Sequence, residues 1–212
     1  MTEVSSLTGR LLVATPVLAD PNFDRAVVLM LDHDEEGSLG VVLNRPTPVG
    51  VVDILEPWAA LAGEPGVVFQ GGPVSLDAAL GVAVVPASPG GGRTEPTEGR
   101  ESDADTAAGE EAERDGPLGW RRVHGAIGLV DLEAPPELLA AELGSLRIFA
   151  GYAGWGPGQL EKELSEGAWY VVDSEPGDVS SPAPELLWRS VLRRQRSELA
   201  MVATYPDDAS LN

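Results

Sequence analysis

The chain has 212 residues, 43% of them hydrophobic, which is enough to bury the core of one domain. It contains no cysteine, so disulfides, thiolate nucleophiles and thiolate metal ligands are excluded. The formal charge of −20 repels phosphate backbones and therefore disfavours general binding to nucleic acid.

The sequence predicts a cytoplasmic protein with no membrane partner. Its longest apolar stretches, such as 26–31, are far shorter than the roughly 18 residues that span a bilayer. Residues 1–8 lack the basic and apolar regions of a secretory signal.

Short runs of β-branched and apolar residues alternate with turn signals along the chain, a pattern that predicts strands. The first five predicted strands are 11–15, 25–31, 39–43, 67–70 and 80–85. Three more follow at 120–130, 146–152 and 168–173. We therefore expect a sheet of about eight strands.

Helices are fewer and have clearer boundaries. Prolines precede 137–143 and Gly144 follows it, which predicts a short helix, and 159–166 ends in the same way. Segment 51–61 reads as a helix broken near its proline. Segment 187–192 has apolar residues spaced by four, and the arginines between 189 and 196 are interpreted as its solvated face.

Segment 87–119 has almost no large apolar side chains and holds nine acidic residues against three arginines. Such a composition predicts a disordered acidic insertion within a single domain that spans 1–212. The insertion is either a tolerated, solvated loop or a tail that binds a protein partner.

Three blocks of the sequence resemble the bacterial YqgE/AlgH family. The first runs from Gly9 to His33 and includes the sequence DPNF at 20–23. The second is GVVLNRP at 40–46, joined by FQGGPV at 69–74. The third, RIFAGYAGWGPGQLE at 147–161, is the most specific because so long a string rarely arises by chance.

The resemblance implies an α+β fold, in which a branched mixed β-sheet curls into a partial barrel with a few helices packed outside. It implies no established catalytic activity and no cofactor. The family also carries a label of putative transcriptional regulator. Direct DNA binding is not expected here, because the chain is strongly acidic and has no recognised DNA-binding motif.

Polar and glycine residues in the matching blocks are the candidate ligand-binding residues. Asn44 and Arg45 end a strand, and an amide beside a guanidinium suits a carboxylate or a phosphate. The alternative is an asparagine that caps a turn and an arginine that pairs with a nearby acid. Gly71 and Gly72 allow a turn with positive φ or a close approach by another backbone, and the alternative is a ligand contact.

The glycine-rich segment 151–159 contributes further candidates. Backbone N–H groups at the start of its helix can hold an anion, although no phosphate-binding lysine motif is present. The alternative is a tight turn with two aromatic side chains packed on the sheet. The candidates in this segment are Tyr152, Gly154, Trp155, Gly156 and Gln159.

Metal binding and serine catalysis have little support. The acidic residues 32–36 begin like an EF-hand loop, but Leu43 stands where the loop needs a carboxylate, so a hairpin loop is predicted. His33 and His124 are the two histidines, and with no cysteine we expect no metal site. No G-x-S-x-G motif occurs, and His33 is interpreted as a polar loop residue.

The sequence favours a non-enzymatic ligand-binding or regulatory protein. Its site would take an unknown small anionic ligand where Asn44, Arg45 and segment 151–159 converge. One alternative is a hydrolase of a phosphorylated or acyl small molecule, with His33 or a carboxylate as general base. Another is a protein-interaction module that acts through the acidic insertion.

Overall fold

The computed structural model describes residues 6–86 and 116–206, in which ten strands and six short helices are seen. The strands are β1 (Arg10–Ala14), β2 (Val27–Asp34), β3 (Gly37–Val42), β4 (Pro46–Gly50), β5 (Val67–Gln70), β6 (Val74–Val84), β7 (Trp120–His124), β8 (Ile127–Val130), β9 (Ser145–Trp155) and β10 (Trp169–Asp173). The helices are α1 (Val51–Ile54), α2 (Glu56–Ala59), α3 (Gln159–Ser165), α4 (Pro176–Val179), α5 (Leu187–Arg193) and α6 (Leu199–Val202). The predicted insertion lies outside the described residues except for 116–119, which form a turn.

The strands form one sheet in the order β10-β1-β2-β3-β9-β6-β8-β7, and the sheet branches at β9. The C-terminal half of β9 pairs with β3, and the N-terminal half pairs with β6 on one edge and with β5 on the other. Only the β5–β9 pairing is parallel among the pairs of named strands, so the sheet is mixed. The predicted fold class, a branched mixed sheet curled into a partial barrel with a few helices outside, is confirmed.

Both faces of the first three strands are covered, which explains why their sequences are nearly continuous apolar runs. Leu11 of β1 faces a core cluster that includes Trp188 of α5. The next residue, Leu12, faces a second cluster that includes Trp155 at the end of β9. The sheet is therefore a middle layer, with α5 on one face and α3 on the other.

Two predicted elements were wrong in form. Segment 120–130 is not one strand but the hairpin of β7 and β8, because Gly125 adopts φ 55° and turns the chain. Segment 137–143 is not an α-helix, since only a 3-10 turn at Pro136–Leu138 forms. Leu138, the last residue of this turn, is exposed, and Leu139 is the one buried residue of segment 137–143. Tertiary packing therefore adds little to the stability of a helix in so short a segment.

The sheet has more strands than predicted. Strand β4 was missed because two prolines in Pro46–Gly50 argue against a strand, and it pairs with β5 only at its ends. The predicted break in segment 51–61 is confirmed, because Leu55 separates α1 from α2. The predicted helices at 159–166 and 187–192 are also confirmed as α3 and α5.

The arginines between 189 and 196 are not one solvated face. Arg194 forms a two-pronged ion pair with Asp178, at 2.5 Å from Nη1 to Oδ1 and 2.8 Å from Nη2 to Oδ2. The Asp178 carboxylate is 4% exposed, and its hydrogen bond raises the pKa of Arg194. Arg193 and Arg196 are exposed, as the sequence interpretation expects. The ion pair joins the C-terminal helices to the segment that follows β10.

The connection between β5 and β6 crosses β9 at very short range. A Cβ atom on Gly71 would lie 2.3 Å from the carbonyl oxygen of Gly151. A Cβ atom on Gly72 would lie 2.1 Å from the backbone of Tyr152. Gly71 also donates its N–H to Ala150 and accepts a hydrogen bond from Val42 of β3. The glycine pair is therefore required by backbone contact, which is one of the two predicted reasons for it.

We predict that Gly72→Ala lowers the free energy of unfolding by about 3 kcal/mol, because the atoms that a methyl group meets are backbone and cannot rotate away. Urea denaturation measures the change. The matched control is Gly66→Ala, whose Cβ meets no atom within 4 Å. We expect that variant to stay within about 0.5 kcal/mol of the parent protein. Equal stability of the two variants would contradict the close crossing.

Candidate functional site

A small pocket opens where β3 and β5 end. It has a volume of about 200 Å³ and is lined by Pro21, Asn22, Val42, Arg45, Gln70, Gly72 and Pro73. The segment before β2 forms one wall, and the crossing at Gly72 and Pro73 forms another. Of the nine residues proposed from the sequence, Arg45 and Gly72 line this pocket.

Arg45 supplies the positive charge of the pocket. The side chain is half-buried, and its Nη1 donates to the carbonyl oxygen of Asn44 at 3.4 Å. Its Nη2 donates to the carbonyl oxygen of Asp24. Burial lowers the pKa of Arg45, and the Asp24 carboxylate offsets part of that shift. An arginine stays protonated at neutral pH, so the pocket contains a partly desolvated cation.

Asn44 points away from the pocket and holds two strands together. Its Oδ1 accepts a hydrogen bond from the N–H of Val27 at 3.0 Å, and its Nδ2 donates to the carbonyl oxygen of Arg25 at 2.8 Å. The residue is 7% exposed. Both ends of the carboxamide are thus engaged with backbone atoms of the segment that leads into β2.

Two carboxamides that the sequence analysis did not select face the pocket instead. Asn22 and Gln70 are exposed, and within residues 6–86 and 116–206 neither side-chain amide has a hydrogen-bond partner. Both lie in blocks that carry the family resemblance, as DPNF and FQGGPV. The resemblance therefore marked both residues, but nothing in the sequence places the end of β5 beside the segment before β2.

The glycine-rich segment is mostly strand rather than loop. Tyr152, Gly154 and Trp155 belong to β9, where Gly154 pairs with Leu39 and Trp155 with Ser38. Tyr152 packs on the main core cluster. Only residues 156–158 form the turn before α3.

The turn before α3 is closed by side chains of its own. The N–H of Gly156 donates to Oε1 of Gln159 at 3.0 Å, where a bound anion would otherwise lie. Oε1 of Glu163 accepts from Gln159, and Oε2 accepts from the indoles of Trp155 and Trp169, at 2.9 and 2.8 Å. These contacts favour the alternative of a tight turn with packed aromatic residues.

The structure does not bring the turn at 156–159 to Arg45. Ser38 at one end of β3 pairs with Trp155, whereas Val42 at the other end lines the pocket. Ser38 and Val42 are four residue steps apart along the strand, which is about 13 Å. The candidates therefore divide between two ends of the same strand, and the pocket is formed without the turn.

A second polar cluster lies at the far end of β3. His33 is not a loop residue, as the sequence suggested, but lies in β2 with 5% exposure. Its Nδ1 lies 2.7 Å from Oγ of Ser38, and its Nε2 lies 3.6 Å from Oε1 of Glu161. The predicted acidic hairpin brings Ser38 opposite His33, with Oδ1 of Asp34 accepting from two backbone N–H groups of the turn.

Residues 6–86 and 116–206 hold neither a cluster of metal ligands nor a membrane-spanning helix. Among them, no group of three or more histidine, aspartate or glutamate side chains has the arrangement of a metal site. No helix among them is long and apolar enough to cross a membrane.

We predict that Asn44→Ala lowers the free energy of unfolding by about 2 kcal/mol, because it leaves a buried backbone N–H and a carbonyl without partners. Denaturant titration measures the loss. Asn22→Ala is the matched control, since that carboxamide is exposed and unpaired within the described residues. We expect the control to stay within about 0.5 kcal/mol of the parent protein. A stable Asn44→Ala protein would return Asn44 to the set of ligand candidates.

Comparisons with known proteins agree on one family. The AlgH-like family model matches residues 11–200. A UPF0301 protein of Streptomyces avermitilis is 79% identical over 100% of this chain and 98% of its own length. A UPF0301 protein of Thermobifida fusca is 44% identical over 98% of this chain and 96% of its own length. Neither name states an activity.

Solved structures show the same fold. A crystal structure of a Corynebacterium diphtheriae protein is similar to this chain with a TM-score of 0.78 and 29% identity, covering 97% of this chain and 95% of that one. The solution structure of the AlgH protein from Pseudomonas aeruginosa has a TM-score of 0.58 and 24% identity, covering 99% of both chains. The family model and the relatives carry the assignment, and the chain belongs to the AlgH-like family.

Proposed function

We propose that this protein is a non-enzymatic, cytoplasmic ligand-binding protein with a regulatory role, and that the pocket at Arg45 takes a small anionic molecule. The observation that carries the proposal is the half-buried guanidinium of Arg45 in a pocket with two unpaired carboxamides, within the described residues. A desolvated cation binds an anion more strongly than an exposed one does. Nucleic acid is not the expected partner, since a net charge of −20 opposes it.

The pocket supports binding better than catalysis. Within the described residues, its lining contains one charged side chain, Arg45, and no histidine, carboxylate or hydroxyl group that would move a proton. Arg45 itself stays protonated at neutral pH and does not serve as a general base. Recognition of a negative group is what this set of side chains can do.

We predict that a thermal-shift screen of small carboxylates, sugar phosphates and inorganic phosphate finds a compound that stabilises the protein. At a hundredfold excess over the dissociation constant, binding adds about 2.7 kcal/mol, which raises Tm by about 5 °C or more for a protein of this size. Arg45→Gln should abolish the shift, because the neutral side chain cannot pair with the anion. The midpoint of thermal unfolding with and without ligand is the measurement.

Arg193→Gln is the control for this screen, because Arg193 is exposed on α5 and the variant changes the net charge by the same amount. It should keep the full shift. A shift that survives Arg45→Gln, or one that Arg193→Gln also removes, would place the binding elsewhere or make it a general charge effect. No stabilising compound in any class would defeat the pocket as an anion site.

A second candidate function is hydrolysis of an acyl small molecule at the cluster of His33, Ser38 and Glu161. The 2.7 Å contact between Nδ1 of His33 and Oγ of Ser38 favours it. In such a reaction Ser38 attacks the carbonyl carbon of an ester while His33 takes the hydroxyl proton and then passes it to the leaving alcohol. Water, deprotonated by the same imidazole, then attacks the acyl carbon. The bond to Oγ of Ser38 breaks, the imidazole returns the proton to Oγ, and the acyl group leaves as a carboxylic acid. Oε1 of Glu161, at 3.6 Å from Nε2, would stabilise the positive charge that the ring acquires.

We predict for this candidate that a fluorophosphonate probe labels Ser38, because an adjacent imidazole makes the hydroxyl nucleophilic. Intact-protein mass spectrometry reads the labelling. Ser38→Ala should abolish it, and His33→Gln should slow it by about a hundredfold or more. The matched control, Ser165→Ala, removes an exposed hydroxyl on α3 and should leave labelling unchanged. If the probe does not label the parent protein, Ser38 is not an activated nucleophile and its contact with His33 is only structural.

The acidic insertion as a protein-interaction module stays a prediction, because its residues fall outside those that the structure describes apart from the turn at 116–119.

A further inference from the structure

We propose that the Arg45 pocket recognises a singly charged carboxylate that carries a neighbouring amide group, rather than a phosphate. The chemistry is that of an N-acylated amino acid or of the last residue of a peptide. This inference rests on the proposed function, since it names the ligand class of the same pocket. Charge, hydrogen-bonding groups and size each support it.

The described lining of the pocket has one cationic side chain, which favours a ligand with a single negative charge. Arg45 is the one cation in the lining among the described residues, and two of its N–H groups already donate to the carbonyl oxygens of Asn44 and Asp24. The remaining N–H groups suffice for one carboxylate.

Acidic side chains beside the pocket oppose a second negative charge. The Asp24 carboxylate lies close enough to interact electrostatically with Arg45. Asp20 lies beside Asn22, whose backbone N–H donates to its Oδ1 at 2.8 Å. A phosphate monoester approaches two charges at neutral pH and would meet both carboxylates as well as a chain of net charge −20. A carboxylate monoanion meets less of this repulsion than a phosphate dianion does.

The two unpaired carboxamides suit an amide better than a phosphate. Asn22 and Gln70 line the pocket, and a carboxamide has both N–H donors and a carbonyl acceptor. The oxygens of a phosphate dianion are acceptors only, so the carboxamide oxygens would have no donor to bind. A ligand amide offers one N–H and one C=O, which together use a donor and an acceptor of the pocket.

The size and walls of the pocket restrict the ligand to a small molecule or a chain end. Its volume of about 200 Å³ is below the range of about 300–1,000 Å³ that holds a drug-sized ligand. Pro21 and Pro73 supply rigid apolar surface for a short side chain. One terminal residue fits this description, whereas a nucleotide does not.

The test is isothermal titration calorimetry of the full chain with five probes. They are N-acetylglycine, a tripeptide with a free C-terminus, acetate, N-acetylglycinamide and inorganic phosphate. We expect N-acetylglycine or the tripeptide to bind at least about tenfold more tightly than acetate and phosphate, a difference of about 1.4 kcal/mol. N-acetylglycinamide lacks the carboxylate and should not bind. Whichever of the first two binds more tightly identifies the source of the carboxylate.

Variants assign the two parts of the ligand to their side chains. Arg45→Gln should abolish binding of N-acetylglycine and of acetate. Gln70→Ala should remove most of the preference for N-acetylglycine over acetate while acetate binding stays unchanged. Arg193→Gln controls for net charge, as above, and should bind as the parent protein does.

The outcomes separate the inference from the proposed function. If phosphate binds as tightly as N-acetylglycine and Arg45→Gln abolishes it, the ligand class is wrong and the anion pocket stands. If acetate binds as tightly as N-acetylglycine, the carboxamides of Asn22 and Gln70 do not bind the ligand amide and the inference fails. If none of the five probes binds and the wider screen also finds no ligand, both the inference and the proposed function fail.

Discussion

The fold depends on one close contact, in which the connection between β5 and β6 crosses the backbone of β9 without any side chain between them. Gly71 and Gly72 meet Gly151 and Tyr152 at distances that exclude a Cβ atom. The contact lets β9 pair with three other strands and so lets the sheet branch. It also fixes Gly72 in the pocket wall, so the requirement for glycine at the crossing and the shape of the pocket have the same cause.

Strand β3 connects the two polar clusters of the molecule. Its C-terminal end, at Val42, reaches the pocket of Arg45, and its N-terminal end carries Ser38 beside His33. Both faces of the strands around it are packed, and such a strand is held rigidly. The two clusters are thus separate sites on one rigid element, and their chemistry differs: one offers a fixed positive charge, and the other offers an imidazole in contact with a hydroxyl group.

Sequence reasoning located most strands because a strand that is buried on both faces is a continuous apolar run, as at 27–31. The predictions were wrong where a short sequence pattern was interpreted by itself and the observed structure depends on a single turn residue or on contacts with distant parts of the chain. A single residue, Gly125, divides 120–130 into a hairpin, and the segment after Pro136 has too few buried side chains to form a helix. The candidate site was predicted in part. The residue types pointed to Arg45, but only the three-dimensional contacts show that Asn44 binds backbone and that Gln70 faces the pocket.

The central position of β9 has a consequence for synthesis of the chain. Its partners β3, β5 and β6 all precede it in the sequence, and β6 is separated from β7 by the long segment 85–119. As the chain leaves the ribosome, these earlier strands present unpaired edges until 145–155 arrives. Contacts between such distant segments form slowly, so the nascent protein passes through a period in which β3 and β6 are open to pairing with other chains. The folding yield in the cell is therefore expected to depend on how quickly β9 is delivered.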